Sequence, residues 1–551
     1  MERGPGASRS GPACWTALGL RPPKWSDICP GDDKWPLHSK PVGRVDLEEI
    51  ANLQTSAHLA DRWRRVKRWL TDDDAYDKVP IRTSAGCPTC EFTQEELEGL
   101  MAHDTVERTR PSDVRGHVKV FPRPEPAKTR RRVIKHTKDV NDFLGRETLE
   151  GVKMPLIAEI CGIVHAGSHM LAFDQAAWFD QFSLGDRVRS RCCFRDRNGR
   201  YYRQCTLAMG QRQAVDVAHT ATEILQTFDD RQTTALAIVD NSLFVGTRDQ
   251  CVRDGSRFIE RAKKVGATLN EDTTTYETLI VEEGDWGGVH LNLRNKTVCC
   301  TTKIVDKTRV SWSHRDQWTW RTFAAHIGLL FFARSIIETP VSDFFPLLRF
   351  ISETGKVLTE HPERWDHRAV IWPSAAASMQ RWTELILGNS PRRVLETGDP
   401  EILVMTDASS WGWGYIALNT HTGKLHRHGA PWSSAMRQRY GSLLKTSVFT
   451  EPRAIVNALC HLLRPGMPRR VRVGSDSSVS VATGNRGFCS RSYNLNQAAK
   501  RLNDSFGGRY TIDYVHVPGI VNTFADAESR GLATAAIDAN LAEEVLRRWV
   551  G

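Results

Sequence analysis

Four carboxylates toward the C-terminal end of the sequence have the types and order of a site that cuts phosphodiesters with two metal ions. They are Asp407 in Met405-Thr406-Asp407-Ala408-Ser409, Glu451 in Thr450-Glu451-Pro452, Asp476 in Ser475-Asp476-Ser477 and Asp526 in Ala525-Asp526-Ala527. Any one alone reads as a solvated loop acid, and it is the set that points to chemistry. Four such charges at one place cannot all ionise without cations. Mg²⁺ suits them because it takes oxygen ligands, keeps waters and is held by a few carboxylates plus substrate phosphate; Mn²⁺ is the alternative. Two ions would activate a water and stabilise the leaving oxygen of an in-line displacement.

The flanking residues suggest elements that bring these carboxylates together. The apolar run Ile402 to Met405 reads as a strand leading into Asp407, and Trp413 to Leu418 as its returning partner after a Gly-rich turn. Val471 and Val473 alternate with arginines, which predicts a half-buried strand with Asp476 at its C-terminal end. Thr450 reads as the N-cap of a helix that tolerates Pro452 in its first turn. On that helix Glu451, Ala454, Ile455, Ala458 and Leu462 share one face, so Glu451 points toward the sheet.

A second carboxylate pattern lies upstream. Met170 to Phe173 is a short apolar run closed by Asp174. Sixty-six residues later comes Asp240, between Ala235–Val239 and Leu243–Val245, which read as two strands with Asp240-Asn241 at the tip of a tight turn. Two strand-borne aspartates with a Gly-containing segment between them, Leu207 to Gln211, suggest a palm-type site in which two metals bridge a primer 3′-hydroxyl and a triphosphate.

Together these segments resemble a known family. Asp407-Ala-Ser-Ser-Trp-Gly-Trp-Gly414, Thr450-Glu451, Ser475-Asp476-Ser477 and His516-Val-Pro-Gly-Ile-Val-Asn522-Thr-Phe-Ala-Asp526-Ala-Glu-Ser-Arg530 are similar to the ribonuclease H domain of retroelements. The upstream region resembles a reverse transcriptase of the LTR-retrotransposon type, and the order and signatures look most like DIRS-type elements, including the VIPER-like branch. The likeness runs from about Glu91 to Arg530. It implies Asp407, Glu451, Asp476 and Asp526 as metal ligands, with His516 assisting product departure. In the palm it implies Asp174 and Asp240 as metal ligands and Phe179 as the aromatic gate against a ribose 2′-hydroxyl. Gly210 and Gln211 would support template and nucleotide. Arg132, with Lys128 or Arg130, would meet the triphosphate, in a fingers segment where Lys135, Lys138 and Asn141 also fall at the family's spacing. Gly266 to Asn270 and Trp286 to Leu291 match later palm and primer-grip motifs, and Trp382 to Leu387 a connection. The departures from the family are Asn241 in place of a second turn aspartate, Gln175-Ala-Ala after Asp174, and no lysine after Asn270.

The expected fold class is therefore α+β and multidomain: a right-hand fingers, palm and thumb polymerase followed by an α/β ribonuclease H-like domain with a mixed sheet. The expected division is a polar leader with a helix at Leu47 to Leu70 (residues 1–90), fingers and palm (91–300), thumb and connection (301–398), ribonuclease H (399–535) and a terminal helix (536–551). Met1 to Gly6 reads as a flexible tail without an apolar core. In the leader helix Trp63, Val66, Trp69 and Leu70 share a face suited to packing on the fingers or to gripping RNA, packing being the favoured reading, and Leu541, Val545 and Trp549 share one in the terminal helix.

Composition fits nucleic-acid partners. Across 551 residues Lys and Arg number 75 against 65 Asp and Glu, and from Glu107 to Lys138 there are eleven basic residues against three acids, a footprint for phosphates. Thirteen cysteines without a secretory signal read as reduced thiols of an intracellular protein, in cytoplasm or nucleus. Cys87-Pro-Thr-Cys90 lacks the second pair that tetrahedral zinc requires. No segment has the apolar length to span a membrane, and Phe323 to Ile337 is broken by His326 and Arg334.

The leading expectation is an RNA-directed DNA polymerase with fused ribonuclease H, whose partners are an RNA template, a DNA primer, their hybrid and dNTPs. One alternative is a hybrid-binding ribonuclease H with a degenerate palm. Another is a non-catalytic nucleic-acid-binding derivative, which would bind in a salt-sensitive way.

Overall fold

The computed structural model describes residues 35–53, 56–125, 128–396, 398–464, 470–532 and 538–551. The expected N-terminal tail lies outside the described residues. The chain is α+β with several separate sheets, as its sequence predicts. It divides into two compact units, one running to Gly287 and including Leu291–Lys296, the other comprising Gly288–His290 and Thr297–Gly551.

At the heart of the N-terminal unit is an antiparallel sheet of three strands, with Asn241–Gly246 between His169–Asp174 and Thr234–Ile238. Phe173, Phe244 and Phe258 meet behind it, the Phe173 and Phe258 rings stacked at 5.0 Å. Phe258 comes from the helix Arg248–Lys264, which begins with a capping box made by Thr247 and Gln250. The expected leader helix is two helices, Leu47–Leu53 and Ala57–Thr71. Ser56 starts the second by accepting the Leu59 N–H, and an N-cap fixes a new helix origin. Trp63, Val66 and Leu70 are fully buried in the same core as Phe173 and Phe244, so this face packs. A separate hairpin pairs Lys119–Glu125 with Arg130–His136, and Leu37–His38 adds to it in parallel beside Arg131 and Arg132.

The turn of the central hairpin differs from expectation by one residue. Ile238 pairs with Asn241, so Val239 and Asp240 form the turn and Asn241 already lies in the strand, opposite Asp174. Val239 sits at φ +52°, a conformation β-branched residues rarely adopt. It is held there by the His219 ring accepting its N–H and by the Thr222 hydroxyl donating to its carbonyl.

The C-terminal unit begins with a helical region, Thr302–Ser313, Trp320–Ala333, Phe345–Glu360 and Pro373–Gly388. Trp382 is fully buried and stacks on Phe344. His326, which interrupts the apolar run noted in the sequence, is also fully buried, with its ring nitrogens 3.1 Å from the Ser311 hydroxyl and 3.0 Å from that of Thr383. Burial lowers its pKa to about 4, so it is a neutral bridge between helices. No helix among the described residues is long and apolar enough to cross a membrane.

Next in the chain is a five-stranded mixed sheet in the order Leu425–Pro431, Gly412–Asn419, Ile402–Ala408, Arg470–Ser475, Thr511–His516. The first two pairings are antiparallel and the last two parallel. The run Ile402 to Met405 is apolar at every position because both faces of this central strand are covered. Ile402 and Val404 face the helices Ser447–Leu462 and Tyr493–Phe506, while Leu403 and Met405 face the terminal helix Ala539–Trp549. That terminal helix forms where expected, but it packs through Ala542 and Leu546, leaving Leu541 and Trp549 largely exposed. Ala542 and Leu546 are one turn apart and fit the narrow apolar strip left by Met405 and Leu418.

Candidate nuclease and polymerase sites

In the C-terminal unit the carboxylates come from four elements. Asp407 is near the end of the central strand, Glu451 is on the helix Ser447–Leu462, Asp476 follows the strand Arg470–Ser475, and Asp526 is on the short helix Thr523–Ser529. Asp407, Glu451 and Asp476 each offer an oxygen within 4.8 Å of the others. Asp407 and Glu451 are buried, whereas Asp476 is exposed.

Glu451 reaches the centre from a helix that starts earlier than its sequence suggests. Thr446, not Thr450, is the N-cap residue, and the Thr450 hydroxyl donates back to the Thr446 carbonyl inside the helix. Pro452 therefore lies in the second turn, where it removes one helical N–H. Its neighbours Phe449, Ala454, Ile455 and Ala458 are all buried, and that packing offsets the loss.

The carboxylates of this centre resist ionisation. Burial pushes the Glu451 carboxyl up to about 9, and the charges of Asp407 and Asp476 add to the effect. Burial likewise raises Asp407 to about 6, opposed by the Ser529 hydroxyl and reinforced by Asp526 and Asp476. Glu451 Oε2 is buried with no hydrogen-bond partner. A buried carboxylate oxygen without a donor is costly unless a cation faces it, so the residues fit a divalent metal such as Mg²⁺. Asp407 is oriented by the Ser529 hydroxyl at 2.6 Å and the Asn522 amide at 3.3 Å. Asp526 is outside the 4.8 Å group but near enough for its charge to raise Asp407 and Glu451, and its Oδ1 takes 2.7 Å hydrogen bonds from Arg530. His516 is exposed at the end of its strand, with Nε2 3.0 Å from the Asp476 carbonyl.

Asn522 and Ser529 lie inside the quoted motif, but their roles were not legible in it. Their signal is a spacing of four and three residues on either side of Asp526, which puts them on one flank of a single short helix. Glycines let this helix approach the sheet. A Cβ on Gly414 would stand 2.4 Å from the Ser529 nitrogen, and one on Gly429 2.2 Å from the Glu528 carbonyl oxygen. Replacing Gly414 with alanine is expected to lift the helix off the sheet and lower stability by about 1–3 kcal/mol, as overpacking does. Thermal unfolding checks this, and Mg²⁺-dependent cleavage should fall with it because Ser529 would leave Asp407.

The second site lies in the N-terminal unit. Asp174 and Asp240 sit at adjacent hairpin ends, with the Gln175 N–H donating to the Asp240 carbonyl at 2.8 Å. Asn241 does more than lack a charge: its amide donates to Asp240 Oδ1 at 3.0 Å. Asp174 Oδ2 accepts from the Asn270 amide at 2.6 Å, and its backbone N–H donates to the Glu271 carboxylate. Burial raises both aspartates, and the charge of Asp174 raises Asp240 further.

A cleft of about 650 Å³ opens beside them. Lys128, Arg130, Arg132, Phe179 and Gly210 line it, which gathers most of the residues singled out in the sequence. Arg130 and Arg132 share the Glu125 carboxylate at 2.6 and 2.7 Å, while Arg131 turns away to Glu96. Phe179 lies in a short 3₁₀ turn that follows Ala177 at φ +43°. Gly210 must be glycine, since a Cβ would fall 2.6 Å from the Lys135 carbonyl oxygen. Gln211 does not reach the cleft: it is buried and donates to the Tyr76 hydroxyl at 2.7 Å. The chain after Gly210 turns inward, so the Gln211 side chain lies in the core. Lys40, from the N-terminal segment, lines the cleft and was not singled out in the sequence.

No protein-family model matches the sequence, and no curated protein matches it. Solved structures do. Foamy viral protease-reverse transcriptase in complex with dsDNA is 13% identical, with 87% of this chain and 99% of that chain covered and a TM-score of 0.45. The same protein described as dRH, also with ds DNA, is 14% identical over 87% and 83% of the two chains, TM-score 0.45. Its complex with an RNA/DNA hybrid is 12% identical over 87% and 64%, TM-score 0.44.

Proposed function

We propose that the chain is an RNA-directed DNA polymerase with a fused ribonuclease H, of the kind found in DIRS-like retrotransposons. It would copy an RNA template from a DNA primer with dNTPs and then cut the RNA of the hybrid. The observation that carries this reading is the convergence of Asp407, Glu451 and Asp476, with one buried Glu451 oxygen left for a cation. A single centre of that kind supports a nuclease. The basic cleft beside Asp174 and Asp240 adds the polymerase.

In the nuclease site Asp407, Glu451, Asp476 and Asp526 would hold the metals, which supply an activated water and a charge to stabilise the leaving oxygen. Ser529 and Asn522 fix Asp407 so that its oxygens need no rearrangement. His516, exposed with Nε2 3.0 Å from the Asp476 carbonyl, would pass a proton as product leaves. In the other site Asp174 and Asp240 would hold the metals, while Lys128 and Arg132 bind phosphate and Phe179 crowds the sugar.

Asn241 favours a second reading, in which the chain binds the hybrid and cuts it but no longer polymerises. Its amide occupies an oxygen of Asp240 and contributes no charge. The deciding experiment follows a labelled RNA–DNA hybrid and a primed RNA template side by side, with Mg²⁺ and with Mn²⁺. Cleavage with extension supports the full reading, cleavage alone the second. Metal-independent, salt-sensitive binding with neither activity would overturn both.

A further inference from the structure

We propose that Lys40 binds the phosphates of the incoming nucleotide, and that the segment Leu37–Asp46 holds it in the cleft for that purpose. The proposal rests on the polymerase reading above and extends it to a residue that lies outside every motif of the palm and fingers.

The segment is fixed at both ends. Leu37 and His38 pair with Arg131 and Arg132. Further on, the Gly43 N–H donates to the Thr268 hydroxyl at 2.8 Å, and a Cβ there would stand 2.3 Å from the Gly266 carbonyl oxygen, so only glycine fits. Arg44 then donates to the carbonyls of Asp180, His103 and Asp104, and the Val45 and Asp46 N–H groups to those of Gln181 and Val265. The strap thus ties the basic hairpin to the segments flanking Asp174 and turns Lys40 into the cleft between them.

There Lys40 Nζ donates to Asn270 Oδ1 at 2.5 Å, and the same amide donates to Asp174. Its hydrogen-bond partner is a neutral oxygen, while the carboxylates of Asp174 and Glu271 are near enough to feel its charge without forming an ion pair with it. Arg130 and Arg132, by contrast, are paired to Glu125, and Lys135 to Asp180. Moving Lys40 onto a phosphate breaks a hydrogen bond to an amide and no direct ion pair, whereas Arg130, Arg132 and Lys135 would each have to leave a carboxylate. A triphosphate approaching Asp174 and Asp240 is repelled by them, and a cation on their side of the cleft offsets that repulsion. A flexible lysine with three donors can leave Asn270 and follow a phosphate without moving the strap.

The test measures primer extension on RNA with varied dNTP, comparing wild type, Lys40→Ala, Lys40→Arg and Asp174→Asn. The expected result is a KM for dNTP about tenfold higher in Lys40→Ala, with kcat changed less, and recovery in Lys40→Arg, the loss of one charged contact being worth roughly a factor of ten. Hybrid cleavage and the thermal midpoint should be unchanged, which separates a phosphate contact from a folding defect. A KM within twofold of wild type in Lys40→Ala, while Asp174→Asn abolishes extension, would overturn the role of Lys40 and leave the polymerase reading standing. A fall in kcat at constant KM would also overturn it, since Lys40 would then act only by positioning Asp174 through Asn270. Extension that survives Asp174→Asn would bring down the polymerase reading, and this proposal with it.

Discussion

Glu451→Gln and Asp407→Asn are each expected to abolish Mg²⁺-dependent hybrid cleavage and, in the absence of metal, to make the protein more stable at pH 8. The loss of activity should be at least about 10³-fold, equivalent to some 4 kcal/mol of transition-state stabilisation. The gain in stability follows from the sign of the shifts. Glu451 has its pKa raised from 4.5 to about 9 in the folded chain, chiefly by burial. A carboxyl shifted in this direction contributes stability that is complete below pH 4.5 and is lost as pH rises toward 9. Asp407, raised from 3.8 to about 6, behaves in the same way over a lower range. At pH 8 the metal-free folded chain must therefore keep Glu451 protonated where the unfolded chain ionises, and carry a buried, charged Asp407; a neutral amide at either position removes that cost. Each kcal/mol recovered should raise the melting temperature by about 2–4 °C. Added Mg²⁺ should stabilise the wild type more at pH 8 than at pH 6, and the two variants much less at either. Calorimetry with and without chelator reads all of this. A variant that cuts normally, or that is less stable than wild type in chelator at pH 8, would contradict the assignment.

Asp240→Asn should remove primer extension by at least about 10³-fold while leaving hybrid cleavage within twofold, because the two carboxylate sets belong to different compact units. Asn241→Asp should act in the opposite direction. It replaces a donor that occupies Asp240 Oδ1 with a second negative charge, at a hairpin end where Asp174 is the cross-strand neighbour. The Mg²⁺ or Mn²⁺ concentration giving half-maximal extension should then fall by about tenfold, the effect of roughly 1.4 kcal/mol in metal affinity. If extension in Asn241→Asp needs as much metal as wild type, the missing charge is not what limits the site.

The sequence revealed carboxylates more readily than the residues that orient them. Asp407 and Asp476 stand at strand ends announced by Ile402–Met405 and by the Val471/Val473 alternation, so local pattern located both. Glu451 was also legible through its helical face, although the cap was not: Thr446 and Thr450 are equally good N-cap residues, and packing of Phe449 decided between them. The turn at Val239 and Asp240 was missed by one residue because nothing in Ile238-Val239-Asp240-Asn241 suggests a valine at positive φ; the constraint comes from His219 and Thr222, twenty and seventeen residues away. Lys40 and Gln211 show the same limit from opposite sides. Long-range pairing places a lysine from a polar segment in the cleft and the glutamine beside a motif glycine against Tyr76, and neither position is written in the local sequence.

The close seating of the helix Thr523–Ser529 against Gly414 and Gly429 also bears on which substitutions this unit tolerates. A carboxylate can be lost with the fold intact, even strengthened at neutral pH, leaving a stable but silent protein. A side chain at either glycine instead displaces the helix that carries Asp526 and Ser529 and damages structure and chemistry together. Substitutions of the acids and of these two glycines therefore separate in their effects: the first are expected to spare the fold, the second to cost it.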